Sequence, residues 1–323
     1  MRTSRFQAWL GIGMVLLQGC TIETWIDDPD EEVRPTVWIT ETIFQSPVPQ
    51  VDVLWVVDNT QSMVGEHAAL ADAFSGFVAV LSEKSLAYQM GVVTTDMAED
   101  AGVLRGNPWI ITPGSSDPQG DFQNAITIEE SSTSKEAGIA AMMSALSEPH
   151  RSGANRGFRR PEATLHIIVV SDSNDHSDDW LDGNVVQAAT EFLRDESEQS
   201  GLSVMLSAVV GDVPSGCSGP AGTAFPGARY LDLVNETGGT FESICASDLN
   251  EILERFADLS VVFPRRFFLG QDADPTTLRV SVEGQVEEDW NYDSELWAVT
   301  LAESPPADAR IQFRYQLQSE DEE

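Results

Sequence analysis

Lysine is almost missing from this 323-residue chain, with Lys84 and Lys135 its only two examples. Lysine and arginine together number 18 against 53 aspartates and glutamates, a formal charge of −35 at pH 7. A surface so poor in cations repels nucleic acid and anionic lipid head groups, and attracts cations and basic partners. The same excess also serves simply to keep an exported protein soluble. Cysteine is scarce, at three, which excludes a disulfide-dense scaffold or a multi-cysteine metal cluster. After the first twenty residues no run of 18 apolar residues is left to cross a bilayer, and no internal repeat is visible. The 41% of apolar residues that are present suffice for real cores and exclude global disorder. The length has room for one large α/β domain and something smaller.

The chain is organised around Val51-Asp52-Val53-Leu54-Trp55-Val56-Val57, followed by Asp58-Asn59-Thr60-Gln61-Ser62-Met63. The nearly continuous apolar run predicts a strand buried on both faces, as in the middle of a parallel sheet. The turn after it spaces Asp58, Thr60 and Ser62 at every second position. Ligands of α/β sheets sit beyond the carboxyl ends of strands. One carboxylate and two hydroxyls gathered there suit a hard divalent cation such as Mg²⁺, Mn²⁺ or Ca²⁺. The plainer alternative is a strand-to-helix turn with Asp58 or Thr60 as the helix cap.

Two arginines, Arg2 and Arg5, precede the apolar stretch Ala8–Leu17, which is too short for a mature transmembrane helix and reads as a secretory signal. It ends in Leu17-Gln18-Gly19-Cys20, which resembles the lipobox of bacterial lipoproteins. That resemblance implies cleavage of residues 1–19, acylation of Cys20 as the new N-terminus, and the lipid as the only membrane anchor. Thr21 after Cys20 fits sorting to the outer membrane. Cys217 and Cys245 then remain as an even pair in an oxidising compartment. A bridge between them closes a loop of roughly 28 residues, a stabilisation of about 3 kcal/mol, the alternative being two buried thiols.

Residues 20–50 read as an acidic tether, with Asp27-Asp28-Pro29-Asp30-Glu31-Glu32 solvated. Thr36–Thr40 within it looks strand-like and suits pairing with a distant sheet, and Trp38–Phe44 suits one more strand of the C-terminal β module. From 51 to 262 strand and helix patterns alternate. Strands are predicted at 88–95, 164–171, 202–210 and 240–244, helices at 64–81, 135–146, 184–194, 230–237 and 249–259, and a Gly- and Pro-rich excursion at 97–120. Crossovers of that size mean a parallel sheet, which puts Asp58, Asp96 and Asp172 on one rim. In 263–318 the period changes to two, at 278–282, 297–301 and 310–315, predicting a small antiparallel, sandwich-like β module. Residues 319–323 are an acidic tail.

Val56-Val57-Asp58-Asn59-Thr60-Gln61-Ser62-Met63 is similar to the Asp-x-Ser/Thr-x-Ser signature of von Willebrand factor A (VWA) domains, and Val169-Val170-Ser171-Asp172 looks like the family's apolar strand ending in Asp. The resemblance spans roughly residues 50 to 260. It implies an α/β fold with a doubly wound, mostly parallel, Rossmann-like sheet. It also implies a metal-ion-dependent adhesion site with Asp58, Thr60, Ser62, a loop threonine and Asp172 as ligands. Thr133 is the loop residue expected, with Ser131 and Ser132 as substitutes, because the Gly-Thr usual in the family is absent. The cation expected is Mg²⁺, with Mn²⁺ or Ca²⁺ as alternatives, and the partner a protein that offers it an acidic residue. With the lipobox, the whole chain resembles a bacterial VWA-domain lipoprotein of the cell envelope: a metal-dependent, adhesion-type binding module and not an enzyme. Two alternatives stay open, a structural envelope protein with a stabilising cation and a metal-dependent hydrolase.

Ser132-Thr133-Ser134-Lys135 matches Ser-x-x-Lys of penicillin-binding proteins, but neither lysine is followed by Thr-Gly. No Gly-x-Ser-x-Gly elbow, His-Glu-x-x-His helix or Walker loop occurs, and no histidine with an orienting carboxylate is expected beside the metal set. The run Asp172–Asp179 is rich in oxygen donors, yet it lacks the glycine and spacing of an EF-hand loop and reads as a solvated, helix-capping segment. His176 in that run has no partner at i+4 to make it a metal ligand, and His166 reads as a satisfied core residue.

Overall fold

Alternate side chains of the 51–57 run go to opposite faces of a sheet, and both faces are dry. A computed structural model describes residues 37–45, 49–84, 87–127, 135–200, 202–260 and 263–317. In chain order the elements are β1 (Trp38–Phe44), β2 (Gln50–Val57), α1 (Val64–Lys84), β3 (Ala87–Thr94), α2 (Pro118–Ile126) and α3 (Gly138–Leu146). Then come β4 (Thr164–Ser171), α4 (Val185–Ser200), β5 (Val204–Val210), β6 (Cys217–Ser218), β7 (Thr223–Ala224), α5 (Ala228–Thr237), β8 (Phe241–Ser243) and α6 (Leu249–Ser260). The last six strands are β9 (Arg266–Phe268), β10 (Arg279–Val282), β11 (Gln285–Glu287), β12 (Trp290–Asp293), β13 (Ala298–Leu301) and β14 (Arg310–Gln316).

The molecule is mixed α/β. Its central sheet is five-stranded in the order β3-β2-β4-β5-β8, and every pairing in it is parallel. Val51, Val53, Trp55 and Val57 pack with α1, α2 and α6 through Leu70, Phe74, Phe122 and Phe256. Leu54 and Val56 pack on the other side with α3, α4 and α5 through Ile139, Leu193 and Leu233. Trp55 anchors the first layer, edge-on to Phe77 and Phe122 with ring centroids at 5.1 and 5.0 Å. One stretch, Gln61–Lys84, is long and apolar enough by composition to cross a membrane; here it lays Leu70, Phe74, Phe77 and Leu81 into this core.

Two buried titratable side chains inside the sheet are paired, while the Trp55 indole N–H is buried without a hydrogen-bond partner among the described residues. Asp52, fully buried in β2, accepts from Arg160 Nε at 2.8 Å and from the Arg160 main-chain N–H at 2.7 Å. His166 in β4 lies between Ser260 Oγ at 2.6 Å and Ser207 Oγ at 2.8 Å, the satisfied core residue that its setting predicts.

Besides the β6–β7 hairpin, the antiparallel strands form two small sheets, β1-β14-β10-β11 and β12-β13-β9. Strand β1 runs against β14 from Trp38↔Gln316 to Phe44↔Arg310. Ile39, Val280, Ile311, Phe313 and Tyr315 share a core with Phe267, Val299 and Leu301. The β10–β11 hairpin turns at Glu283 and Gly284, both at positive φ (52° and 78°), the backbone that a two-residue type I′ turn requires.

The structure differs from the sequence reading at several places. The helix expected from Lys135 starts at Gly138, because the Ala137 N–H is bonded across to Thr95 O at 2.8 Å and the Glu136 carbonyl accepts from the His176 N–H at 2.7 Å. The helix expected to end at Arg194 continues to Ser200. The excursion at 97–120 leads into α2, whose first turn is capped by Asp117 accepting from the Gly120 N–H, with Pro118 at the first helical position. Strands β9, β11 and β12 are additional to the three expected in the β module.

Candidate metal centre

Strand order reverses between β2 and β4, the two central neighbours from which the chain winds outward in opposite directions. A crevice forms at such a point beyond the carboxyl ends of the strands, and Asp58 and Asp172 are the residues that follow these two strands. Asp58 is fully buried. Its Oδ1 accepts from the Thr60 main-chain N–H at 2.9 Å and from Thr60 Oγ1 at 2.7 Å. Its Oδ2 accepts from Ser171 Oγ at 2.7 Å. Thr60 Oγ1 is 3.1 Å from Ser62 Oγ, and the Ser62 side chain hydrogen-bonds in turn to Asp172. Asp58, Thr60, Ser62 and Asp172 thus lie along one run of carboxylate and hydroxyl oxygens. Every second residue after β2 faces it because the segment is extended at Thr60 (φ −72°, ψ 155°) before the 3-10 turn Gln61–Met63.

Burial pushes the Asp172 carboxyl above its usual range, and the Asp58 charge adds to this against the Ser62 hydrogen bond. Two further acids share this field, and the sequence reading gave neither a role. Glu66, in the first turn of α1, is buried; desolvation raises it, with Asp172 and Asp58 adding. Glu136 is likewise raised by burial first, with Asp58 and then Asp172 contributing. Glu66 was detectable: it lies four, eight and fifteen residues before Leu70, Phe74 and Leu81, on the buried stripe of the helix, where an acid calls for an explanation. Glu136 sits in no periodic pattern and gives no comparable signal.

The donor set fits a hard cation. Glu66 Oε2 and Asn59 Oδ1 are buried without a hydrogen-bond partner among the described residues, and carboxyls held above their usual range regain their charge beside a positive ion. Among the described residues no three His, Cys, Asp or Glu side chains are grouped to hold a metal. The set has two carboxylates, and its other oxygens are hydroxyls, a composition suited to Mg²⁺, Mn²⁺ or Ca²⁺ rather than to zinc.

Thr133, with Ser131 and Ser132, lies outside the described residues, as does Cys20. The chain just after that loop reaches the rim through the Ala137–Thr95 bond. Asp96, expected on the same rim, is buried and caps its own turn, its Oδ1 accepting from the Ala98 and Glu99 N–H groups. Cys217 and Cys245 are disulfide-bonded.

The segment after Asp172 caps a helix, as its composition predicts, but it is not simply solvated. Asp175 and Ser177 are buried and accept from the first N–H groups of α3, Ile139 to Asp175 Oδ1 and Ala140 to Ser177 Oγ, each at 2.9 Å. Contrary to the sequence reading, a histidine with a carboxylate stands near this oxygen set, since Glu136 feels the Asp58 and Asp172 charges. His176 Nδ1 is 3.6 Å from Glu136 Oε2, with the imidazole half exposed. His67 is engaged differently, its Nε2 lying 2.6 Å from the Asp58 carbonyl.

No protein-family profile matches the chain, and no curated protein matches it. Among solved structures it is similar to the proximal thread matrix protein 1 of the mussel byssus, at 16% identity over 68% of this chain and 48% of that one, with a TM-score of 0.39. It is also similar to the pilus adhesin SpaC of Lactobacillus rhamnosus GG, at 12% identity over 93% of this chain and 44% of that one, TM-score 0.39. A third likeness is to the pilus adhesin RrgA of Streptococcus pneumoniae, at 10% identity, 89% and 59% coverage and a TM-score of 0.38. The chain thus spans about half the length of these proteins, and at these scores they assign no family.

Proposed function

We propose that the chain is a metal-dependent protein-binding module with a doubly wound, VWA-like sheet, carried on the cell envelope by a lipid at Cys20. The observation that carries the reading is the run of oxygens from Asp58 through Thr60 and Ser62 to Asp172, beyond the carboxyl ends of β2 and β4. Asp58 and Asp172 are the charged ligands and Thr60 and Ser62 the neutral ones, with Thr133, outside the described residues, as the fifth ligand of the proposal. A divalent cation, Mg²⁺ foremost, would supply a Lewis-acidic position for one carboxylate of a partner protein. The protein's own part is to fix the ligand oxygens, through Ser171 on Asp58 and through the rigid carboxyl end of β2.

The test is calorimetric titration of Mg²⁺ and Mn²⁺ into wild type and Asp58→Ala. Wild type is expected to bind and the variant to lose binding altogether; undiminished binding by the variant removes the site. A second reading, hydrolysis, is favoured by the His176–Glu136 pair beside the same set, since such contacts are often long before substrate arrives. Turnover of ester or peptide substrates by pure protein, lost in His176→Ala, would decide for it.

A further inference from the structure

Two large apolar side chains are left in water against the proposed cation site. Val64 is 59% and Phe225 73% exposed. Val64 is the first residue of α1, two positions beyond Ser62. Phe225 is bound to the other side of the site, its main-chain N–H donating to Asp172 O at 2.7 Å. Single exposed apolar residues are ordinary, but the backbones of this pair are tied to Ser62 and to Asp172, whose side chains interact with each other.

The backbone under Phe225 is pinned on three sides. The β6–β7 hairpin is tied to the end of β8 by Cys217–Cys245. Its turn lies on the first residues of α1, so close that a Cβ added at Gly65 would meet Ala221 O at 2.5 Å, and one added at Gly222 would meet Glu66 Oε1 at 2.6 Å. Phe225 O rests on Gly211, where an added Cβ would come within 1.9 Å. An aromatic side chain on a backbone held this firmly is pre-organised for contact, because little freedom remains to be lost on binding.

Charge says what kind of partner needs such a contact. A protein of formal charge −35 repels an approaching acid at long range, so attraction to an acidic partner must come from short-range terms. Resting on the function proposed above, we propose that the partner segment carries, within two residues of its metal-seeking Asp or Glu, a large apolar or aromatic residue that packs on Val64 and Phe225.

The probe is a displayed library of heptapeptides with Asp or Glu fixed at the centre and all other positions random. It is captured on the full chain in Mg²⁺ and released with EDTA. Released peptides are expected to be enriched in aromatic or large aliphatic residues beside the acid. Their affinity should fall about tenfold or more in Val64→Ser/Phe225→Ser while calorimetric Mg²⁺ binding stays at the wild-type value, and Phe225→Leu should retain most of it. Capture of acidic peptides without apolar enrichment, or equal capture by the double serine variant, overturns the inference and leaves the metal-dependent reading standing. Wild type that takes up no Mg²⁺, or peptides that EDTA fails to release, sinks both together.

Discussion

Ser171 holds one oxygen of Asp58 while Thr60 holds the other, so the carboxylate is oriented before any ion arrives. Groups that orient a ligand carry about 10–100-fold of metal affinity. Ser171→Ala is therefore expected to weaken Mg²⁺ binding by about that factor in calorimetry, with little change in melting temperature. His166 gives a prediction of a different kind. Burial pushes its imidazole down to about 3, below the ~6.5 of an unfolded chain. As pH falls through 6.5 the unfolded chain takes up the proton and the folded one does not. The stability held above that pH is then lost progressively toward pH 3, at about 1.4 kcal/mol per unit. Urea unfolding of wild type and His166→Gln between these limits should show the difference narrowing as the variant loses that slope. Of these residues, Asp58, Thr60, Ser62 and Asp172 are readable in the sequence because strand ends and alternate spacing place them. Ser171 and Glu136 act through contacts across the rim that no local pattern reveals, whereas Glu66 shows itself as an acid on the buried stripe of α1.

The central strands are the elements most plainly written in the sequence, since unbroken Val, Ile and Leu runs fit only a sheet covered on both faces. Helix starts are less legible. The first turn of α3 is set by Asp175 and Ser177, more than thirty residues away in sequence, and α2 hides behind an Asp-Pro cap inside a glycine-rich segment. Short strands such as β9 and β11 carry too few residues to show a period. The β6–β7 hairpin is an element whose place depends on a covalent tie. Replacing Cys217 and Cys245 by serine is expected to cost about 3 kcal/mol in urea unfolding from loop entropy. It should also weaken cation binding, since the hairpin covers Glu66 and holds Asp172 through Phe225. Unchanged calorimetry in that variant would separate the hairpin from the site.

Over the whole molecule, charge opposes the proposed partner. Salt should therefore tighten capture of an acidic peptide rather than weaken it, as the screening length falls from ~30 Å at about 10 mM to ~8 Å at about 150 mM. Affinity that declines with salt would show that a local positive field dominates. The chain path has a mechanical consequence as well. Strand β1 is the described element that precedes β2 in the chain, and β2 ends at Val57, one residue before Asp58. Tension arriving from the residues before Trp38 and resisted at the rim would run along two strands that are already extended. Among the described residues no helix lies on that route, and neither strand has slack to give. On the proposed reading, a pull between a lipid at Cys20 and a bound partner would reach the proposed ligand set as force, with little lengthening along those two strands.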